Sequence, residues 1–382
     1  MSIIQFDQHV DRSHTQSIRW DKYGPDVIPL WVADMDFRPP EAVIQALTKR
    51  VEHGVFGYTY ASQQLKEVIV DYIHRTYHWK IAAEWISFLP SVVTGLHLSV
   101  RMLTEVGDHI LIPHPAYHHF KDAVLGAKRD YSEYEMTLHN GRYILDVAQL
   151  ERLVRPQTKL LMLCNPHNPG GTVFTKEELL AIGEFAKVHQ LIMCSDEIHA
   201  DLILDAGLQH HPIGSIGSDV HEYSFSLMSP NKTYNFPGLG LSWVICPNPE
   251  IQKKLMQDVH TLIPNPNLFA YEVTQAALEH GTDWHASLID YLRKNRDMVH
   301  ARINAIPGLS MEHLQATYLA WINCSAKGWV DPFENFLKAG VALSPGSQFG
   351  DQQFVRLNFG TTSRMLHLAL ERIENFVNHK LG

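Results

Sequence analysis

Residues 160–199 read LLMLCNPHNPGGTVFTKEELLAIGEFAKVHQLIMCSDEIH, and this stretch decides the fold. Leu160–Cys164 is a short apolar run that ends in a turn rich in Pro and Gly, so it reads as a buried strand. Thr175-Lys-Glu-Glu178 is a capping box that opens a helix through His189, with Leu179, Ile182, Phe185 and Ala186 on one face. Leu191–Ser195 is a second buried strand. Strand, helix, strand predicts a mostly parallel sheet covered on both faces. The same rhythm extends outward through Ile86–Leu89 and His109–Pro113 on one side, and Tyr223–Leu227 and Leu241–Cys246 on the other. Beyond it the pattern changes to a long helix from about Trp284 to Ile306, short strands, and a helix over Met365–His379. The expected architecture is a large α/β lobe over residues 46–280 and a smaller lobe built from 1–45 and 281–382.

A chain of 382 residues with 45% hydrophobic and 19% charged residues has the composition of an ordinary globular protein of two lobes. The net charge of −9 and the lack of a basic block exclude a phosphate-backbone footprint, so no nucleic-acid partner is expected. No run of about 18 apolar residues is present, and the N-terminus lacks a charged start followed by an apolar stretch. A cytoplasmic, membrane-free protein is the expectation. Cys164, Cys194, Cys246 and Cys324 form no metal-like spacing and read as reduced and buried. Among 24 histidines the adjacent pairs His118-His119 and His210-His211 invite a metal, but neighbours in a regular element point apart, so none is expected.

Open α/β sheets bind ligands beyond the carboxyl ends of their strands. Ser229-Pro-Asn-Lys232-Thr-Tyr-Asn-Phe-Pro-Gly238 follows one strand, and alone Lys232 would read as a solvated loop lysine. Its company changes the reading. Asp196, ending another strand in Ser195-Asp196-Glu197-Ile-His199, can keep a cationic ring nitrogen protonated; taken singly it is an ion-pair or cap candidate. Asn165-Pro-His-Asn168-Pro-Gly-Gly-Thr172 sets a rigid turn that offers the Asn168 amide to a ligand hydroxyl. Pro90-Ser-Val-Val-Thr-Gly95 opens a helix whose first N–H groups make a phosphate cradle, and Tyr117 either stacks on a flat ring or simply packs.

In order and spacing, SPNKTYNFPGL, NPHNPGGTV, SDEIHADL, PLWVADMDF and FVRLNFG resemble the fold-type I enzymes that use pyridoxal phosphate (PLP), along the whole chain. WVADMDF, VFGYTY, CNPHNPGG and DEIHADL look more narrowly like the MalY/PatB-type C–S lyases, the cystathionine β-lyases related to class II aminotransferases. The resemblance implies an aspartate aminotransferase-like fold: a mostly parallel seven-stranded sheet between helices, plus a smaller α+β domain. It implies that Lys232 is the Schiff-base lysine and proton shuttle, that Asp196 pairs with the pyridinium, and that Asn168 and His199 flank the ring hydroxyl. Tyr117 would stack on the ring. Val92, Val93 and Ser229 would hold the phosphate with Tyr58 of a neighbouring subunit, which makes a homodimer the expected assembly. Arg356, otherwise readable as a surface ion pair, would clamp the substrate carboxylate; Asn168 would also contact substrate, and Tyr58 is an alternative proton donor to the leaving group. Two departures stand out: Asn231 precedes the lysine where many relatives have Ser, and Gly240 stands where aminotransferases often keep a phosphate-binding Arg. Together with His199, often Tyr in general aminotransferases, Gly240 favours β-elimination from a cysteine S-conjugate over amino transfer. The alternatives are an aminotransferase, and a regulatory or binding protein that keeps the fold without turnover.

Overall fold

The computed structural model describes residues 6–217, 219–257 and 259–379. Its strands are β1 (Ile28–Pro29), β2 (Ile86–Leu89), β3 (His109–His114), β4 (Asp130–His139), β5 (Arg142–Leu145), β6 (Thr158–Cys164), β7 (Ile192–Asp196), β8 (Ser224–Met228), β9 (Ser242–Ile245), β10 (Ser310–Met311), β11 (Leu319–Asn323), β12 (Val341–Ala342), β13 (Ser344–Pro345) and β14 (Phe354–Asn358). The main sheet has eight strands in the order β2-β9-β8-β7-β6-β3-β4-β5. β3, β4, β6, β7 and β8 are parallel neighbours, whereas β9 and β5 run against their partners.

The expected sheet of seven strands is thus present with an eighth, β5, added by a hairpin from β4. Neither β4 nor β5 stands out as an apolar run. β4 alternates: Tyr134 and Met136 are buried while Glu135 and Thr137 are exposed, the pattern of a strand near a sheet edge with one wet face. The central strands β3 and β6 are buried on both faces and read as continuous hydrophobic runs.

The capping box forms as expected. Thr175 Oγ1 accepts from Glu178 N and the Glu178 carboxylate accepts from Thr175 N, which starts the helix Lys176–Val188. Leu179, Ile182, Phe185 and Ala186 of that helix are buried against the sheet; each of the three larger side chains contributes about 2 kcal/mol of apolar transfer. Long helices occupy Thr282–Asn304 and Ser363–His379. The second sheet, β10-β11-β14-β13, is antiparallel throughout. The N-terminal segment returns to this part of the chain: β1 pairs in parallel with β12 in a separate two-stranded sheet. Among the described residues no helix is long and apolar enough to cross a membrane, and all four cysteines are free and buried.

Because β2, β3, β6, β7 and β8 share a direction, the segments that follow them emerge along one edge of the sheet. The turns at Pro90, Pro115, Asn165, Glu197 and Ser229 therefore converge.

Candidate active site

A cavity of ≈ 600 Å³ opens at this edge, facing the second sheet. Val92, Val93, Tyr117, Asn168, Asp196, His199, Ser229, Lys232 and Arg356 all line it. Tyr58 does not. It lies fully exposed in a segment that also exposes Val51, Val55, Phe56 and Tyr60.

Each lining residue is fixed by its element. Asp196 ends β7 and accepts a hydrogen bond from Ile198 N at 3.1 Å. The turn around Asn168 is held by His167 N to Thr172 O at 2.8 Å and Gly171 N to His167 O at 2.7 Å. Buried His167 donates from Nε2 to Pro115 O at 2.9 Å and accepts from Gly170 N at Nδ1. Burial pushes its pKa down to about 4, which keeps that ring neutral. Ser91 caps the helix Val92–Leu103 by accepting from Thr94 N, and the N–H groups of Val92 and Val93 in its first turn have no partner inside the helix. Ser229 is in the wall, but its hydroxyl already donates to Leu241 O at 2.6 Å and accepts from Asn231 N at 3.2 Å. Gly240 has φ +59°, and a Cβ there would stand 3.2 Å from Pro90 O. No cation fits this backbone without strain.

The charges are unusual for a protein interior. Lys232 is half-buried and donates from Nζ to Ala33 O. Burial brings its pKa down to about 8, with Asp34 opposing and Arg356 assisting. Burial likewise lifts Asp196 to about 7, against the Ile198 N–H, and lowers His199 to about 3, so its imidazole is neutral. His199 Nδ1 and Asn231 Oδ1 are buried with no partner. Arg356, 5% exposed at the centre of β14, lies 4.5 Å over the Phe349 ring. It donates to Asn168 Oδ1 at 3.0 Å, Trp31 O at 3.3 Å and Ser344 Oγ at 3.4 Å. Among the described residues it has no carboxylate partner, and its Nε has none of any kind. A buried guanidinium without a counter-charge is costly, and it is the feature expected of a residue that waits for an anionic ligand.

Asp196 supports a direct test in the ligand-free chain. Its folded pKa of about 7 exceeds the ordinary 3.8, so the folded state binds the extra proton between those values and loses stability as pH rises through them. Asp196→Asn abolishes this loss. Urea midpoints of the variant and the parent should coincide more closely near pH 5 than near pH 8, where the variant leads by an amount on the order of a few kcal/mol; a gap that does not widen with pH rejects the raised pKa.

Several residues here carry no local signal in the sequence. Asn358 Nδ2 donates to Val32 O and Asp34 O, and Asn235 Nδ2 to Met35 O and Phe37 O. Arg12 and Arg19 both pair with Asp34 and Asp36. Asp34 and Asp36, whose roles the sequence left open, therefore anchor the strap Trp31–Phe37 beside Lys232. Burial alone would raise the Asp36 carboxyl, yet Arg19, Trp20 and Arg12 hold it below the usual range. The reading of adjacent histidines also needs correction at one pair. The His118 and His119 rings lie 4.3 Å apart, because both lean over the first turn of the helix His119–Gly126 toward Asp122 instead of following a regular period. His210 instead turns inward to buried Glu197.

The family model for class I and II aminotransferases matches residues 25–373. The chain belongs to that family. Cystathionine beta-lyase PatB of Bacillus subtilis is 36% identical to it, over 97% of this chain and 99% of that one. The crystal structure of OvoB superposes with a TM-score of 0.96 at 42% identity, covering 98% of this chain and 99% of that one. Cystalysin from Treponema denticola, whose structure contains a pyridoxal 5'-phosphate cofactor, superposes with a TM-score of 0.94 at 29% identity, covering 99% and 100%. The family fold is the fold-type I architecture expected from the motifs, and the likeness to PatB agrees with the narrower resemblance. In this family frame the cavity at the carboxyl edge, rather than any other concavity, is the site of interest.

Proposed function

We propose that the chain is a PLP-dependent carbon–sulfur β-lyase, cleaving cystathionine or a related cysteine S-conjugate to a thiol, pyruvate and ammonia. The observation that carries it is one cavity holding a half-buried, weakly basic Lys232, a buried Asp196 and an Arg356 without a counter-charge among the described residues. The residues fit the cofactor. Among the described residues Asp196 makes no ion pair, His199 Nδ1 and Asn231 Oδ1 are unpartnered, and the N–H groups of Val92 and Val93 make an anion cradle. Asp196 would hold the ring nitrogen, Asn168 and His199 the ring hydroxyl, Tyr117 the ring face and Val92, Val93 and Ser229 the phosphate. Ser229 would have to release Leu241 O to donate there.

When bound, the group supplies a protonated pyridine ring that takes up the electron pair left at the substrate Cα. The chain's own residues do the rest. Arg356 orients the α-carboxylate with a planar two-pronged donor. A lysine with pKa about 8 is free base often enough at neutral pH to take the Cα proton. The Cβ–S bond then breaks with its electron pair on sulfur, and the thiolate is protonated by Lys232 or Tyr58. Water converts the remaining three-carbon fragment to pyruvate and ammonia. Gly240 and His199 favour this outcome over amino transfer, and so does the naming of PatB as a cystathionine beta-lyase. Incubating the cofactor-loaded protein with L-cystathionine should yield thiol and pyruvate in equal amounts with no keto acid added. Turnover that requires a keto acid and releases no thiol would establish an aminotransferase instead.

The active assembly in this reading is a homodimer in which Tyr58 reaches the phosphate of the neighbouring site. Its support is the full exposure of Tyr58 beside Val55, Phe56 and Tyr60. Light scattering should report twice the 43.5 kDa chain mass. Tyr58→Phe, which removes one hydrogen bond to a charged group worth about 1.5–3 kcal/mol, should weaken PLP binding by roughly ten- to a hundredfold in a cofactor titration. A fully active monomer, or a Tyr58→Phe protein that binds PLP normally, contradicts this assembly. The four free, buried cysteines fit a reducing compartment such as the cytoplasm, and the two-lobed division at residues 46–280 is kept with this proposal.

A further inference from the structure

The turn after β3 passes through Tyr117 and His118 into the helix His119–Gly126, whose first turn carries Asp122. His119 Nδ1 lies 3.2 Å from Asp122 Oδ2, and His118 Nε2 lies 3.9 Å from the same oxygen. One donor atom from each of the three residues falls within 4.8 Å of the others. His119 Nδ1 and Asp122 Oδ2 thus face each other at a separation that a proton or a metal ion can bridge. Metal–ligand bonds of about 2.0–2.2 Å place neighbouring donors about 3–3.5 Å apart; His119 and Asp122 already stand at 3.2 Å and His118 at 3.9 Å from the same oxygen.

We infer that His118, His119 and Asp122 bind a divalent first-row transition-metal ion at the rim of the lysine cavity. Two imidazoles and one carboxylate suit Zn²⁺, Co²⁺, Ni²⁺ or Fe²⁺ and not Ca²⁺ or Mg²⁺, which take oxygen ligands. Access is open, since the three side chains are 41%, 30% and 49% exposed. Three protein donors leave at least one coordination position for water or an incoming ligand. His118 and His119 both line the lysine cavity, so the ion would stand in the wall past which substrate enters and product leaves. This inference uses only the geometry of three side chains and does not depend on the lyase reading.

The test uses tag-free, cofactor-loaded protein stripped with a chelator and then dialysed against Zn²⁺ alone. The parent should hold one tightly bound equivalent per chain. Both the double substitution His118→Ala with His119→Ala and the single substitution Asp122→Asn should weaken that equivalent by at least about tenfold, as even the loss of a supporting group costs that much. Weak binding at other histidines persists in every protein and serves as the background. Co²⁺ gives an independent readout, a visible d–d spectrum of a histidine–carboxylate site in the parent that disappears in the double variant. Unchanged cofactor absorbance reports that the variants are folded, and Asp122→Asn, on the half-exposed side of its helix, answers the question if the double variant does not fold. Identical zinc affinity and stoichiometry in parent and variants, or a parent that binds only at background strength, overturns the site.

Discussion

Lys232→Ala should abolish thiol release from L-cystathionine, with a loss on the order of 10⁴-fold, the upper end of what a positioned acid–base group contributes. The reason is local. Lys232 is the half-buried amine of the cavity, its Nζ is tethered to Ala33 O, and loss of hydration brings its pKa to about 8, close to the pH at which a general base works best. No other lysine lines the cavity, so nothing substitutes for it. The folded lobes should persist, because the substitution deletes a charge that burial disfavours; circular dichroism would check this. Thiol release within about tenfold of the parent rate would end the role of Lys232 as the acid–base group.

Arg356→Ala should cost about 3–4 kcal/mol of transition-state stabilisation, as expected when one partner of a buried charge pair is truncated, which is roughly 10²–10³-fold in kcat/KM. Although burial brings its pKa down to about 10, Arg356 remains charged at neutral pH with no carboxylate from the protein beside it. Its partner must come from the ligand. Arg356→Lys should recover only part of the loss, since a point charge cannot reproduce the two-pronged contact or the stacking 4.5 Å over Phe349. Cofactor absorbance should remain in both variants because Arg356 serves the substrate. Undiminished kcat/KM in Arg356→Ala would show that the carboxylate is held elsewhere.

The parts of this molecule that are legible in its sequence are those whose physics is local. The capping box at Thr175 and Glu178, the buried apolar strands and the polar residues just beyond them all act within a few positions of one another, and the structure brings nine of the expected site residues to one cavity. Tyr58 is outside it, as a residue intended for another subunit would be in a single chain. β4 and β5 escape the reading because a half-wetted, hairpin-paired edge leaves an alternating, charged pattern in place of an apolar run. The contacts of Asn235, Asn358 and Ser344 escape it for a different reason. Their partners in the strap Trp31–Phe37 lie 198 or more positions away, and no spacing rule links them. The adjacent histidines mislead because an argument from regular periods does not anticipate two rings bending to one carboxylate.

The strap Trp31–Phe37 also governs when the site can come into being. Its carbonyls are taken by Arg356 across a separation of 325 residues, by Tyr318 across 285 and by Asn235 across 200. During synthesis the sheet edge around Asp196 and Lys232 can condense before β14 emerges, but the bonds that Arg356 and Asn358 make to the strap cannot. Contacts that span nearly the whole chain are made late, because closing so large a loop is slow and must precede any gain from the bond. The last fastenings of the strap are thus deferred until β14 has been made, and Arg356 arrives with them.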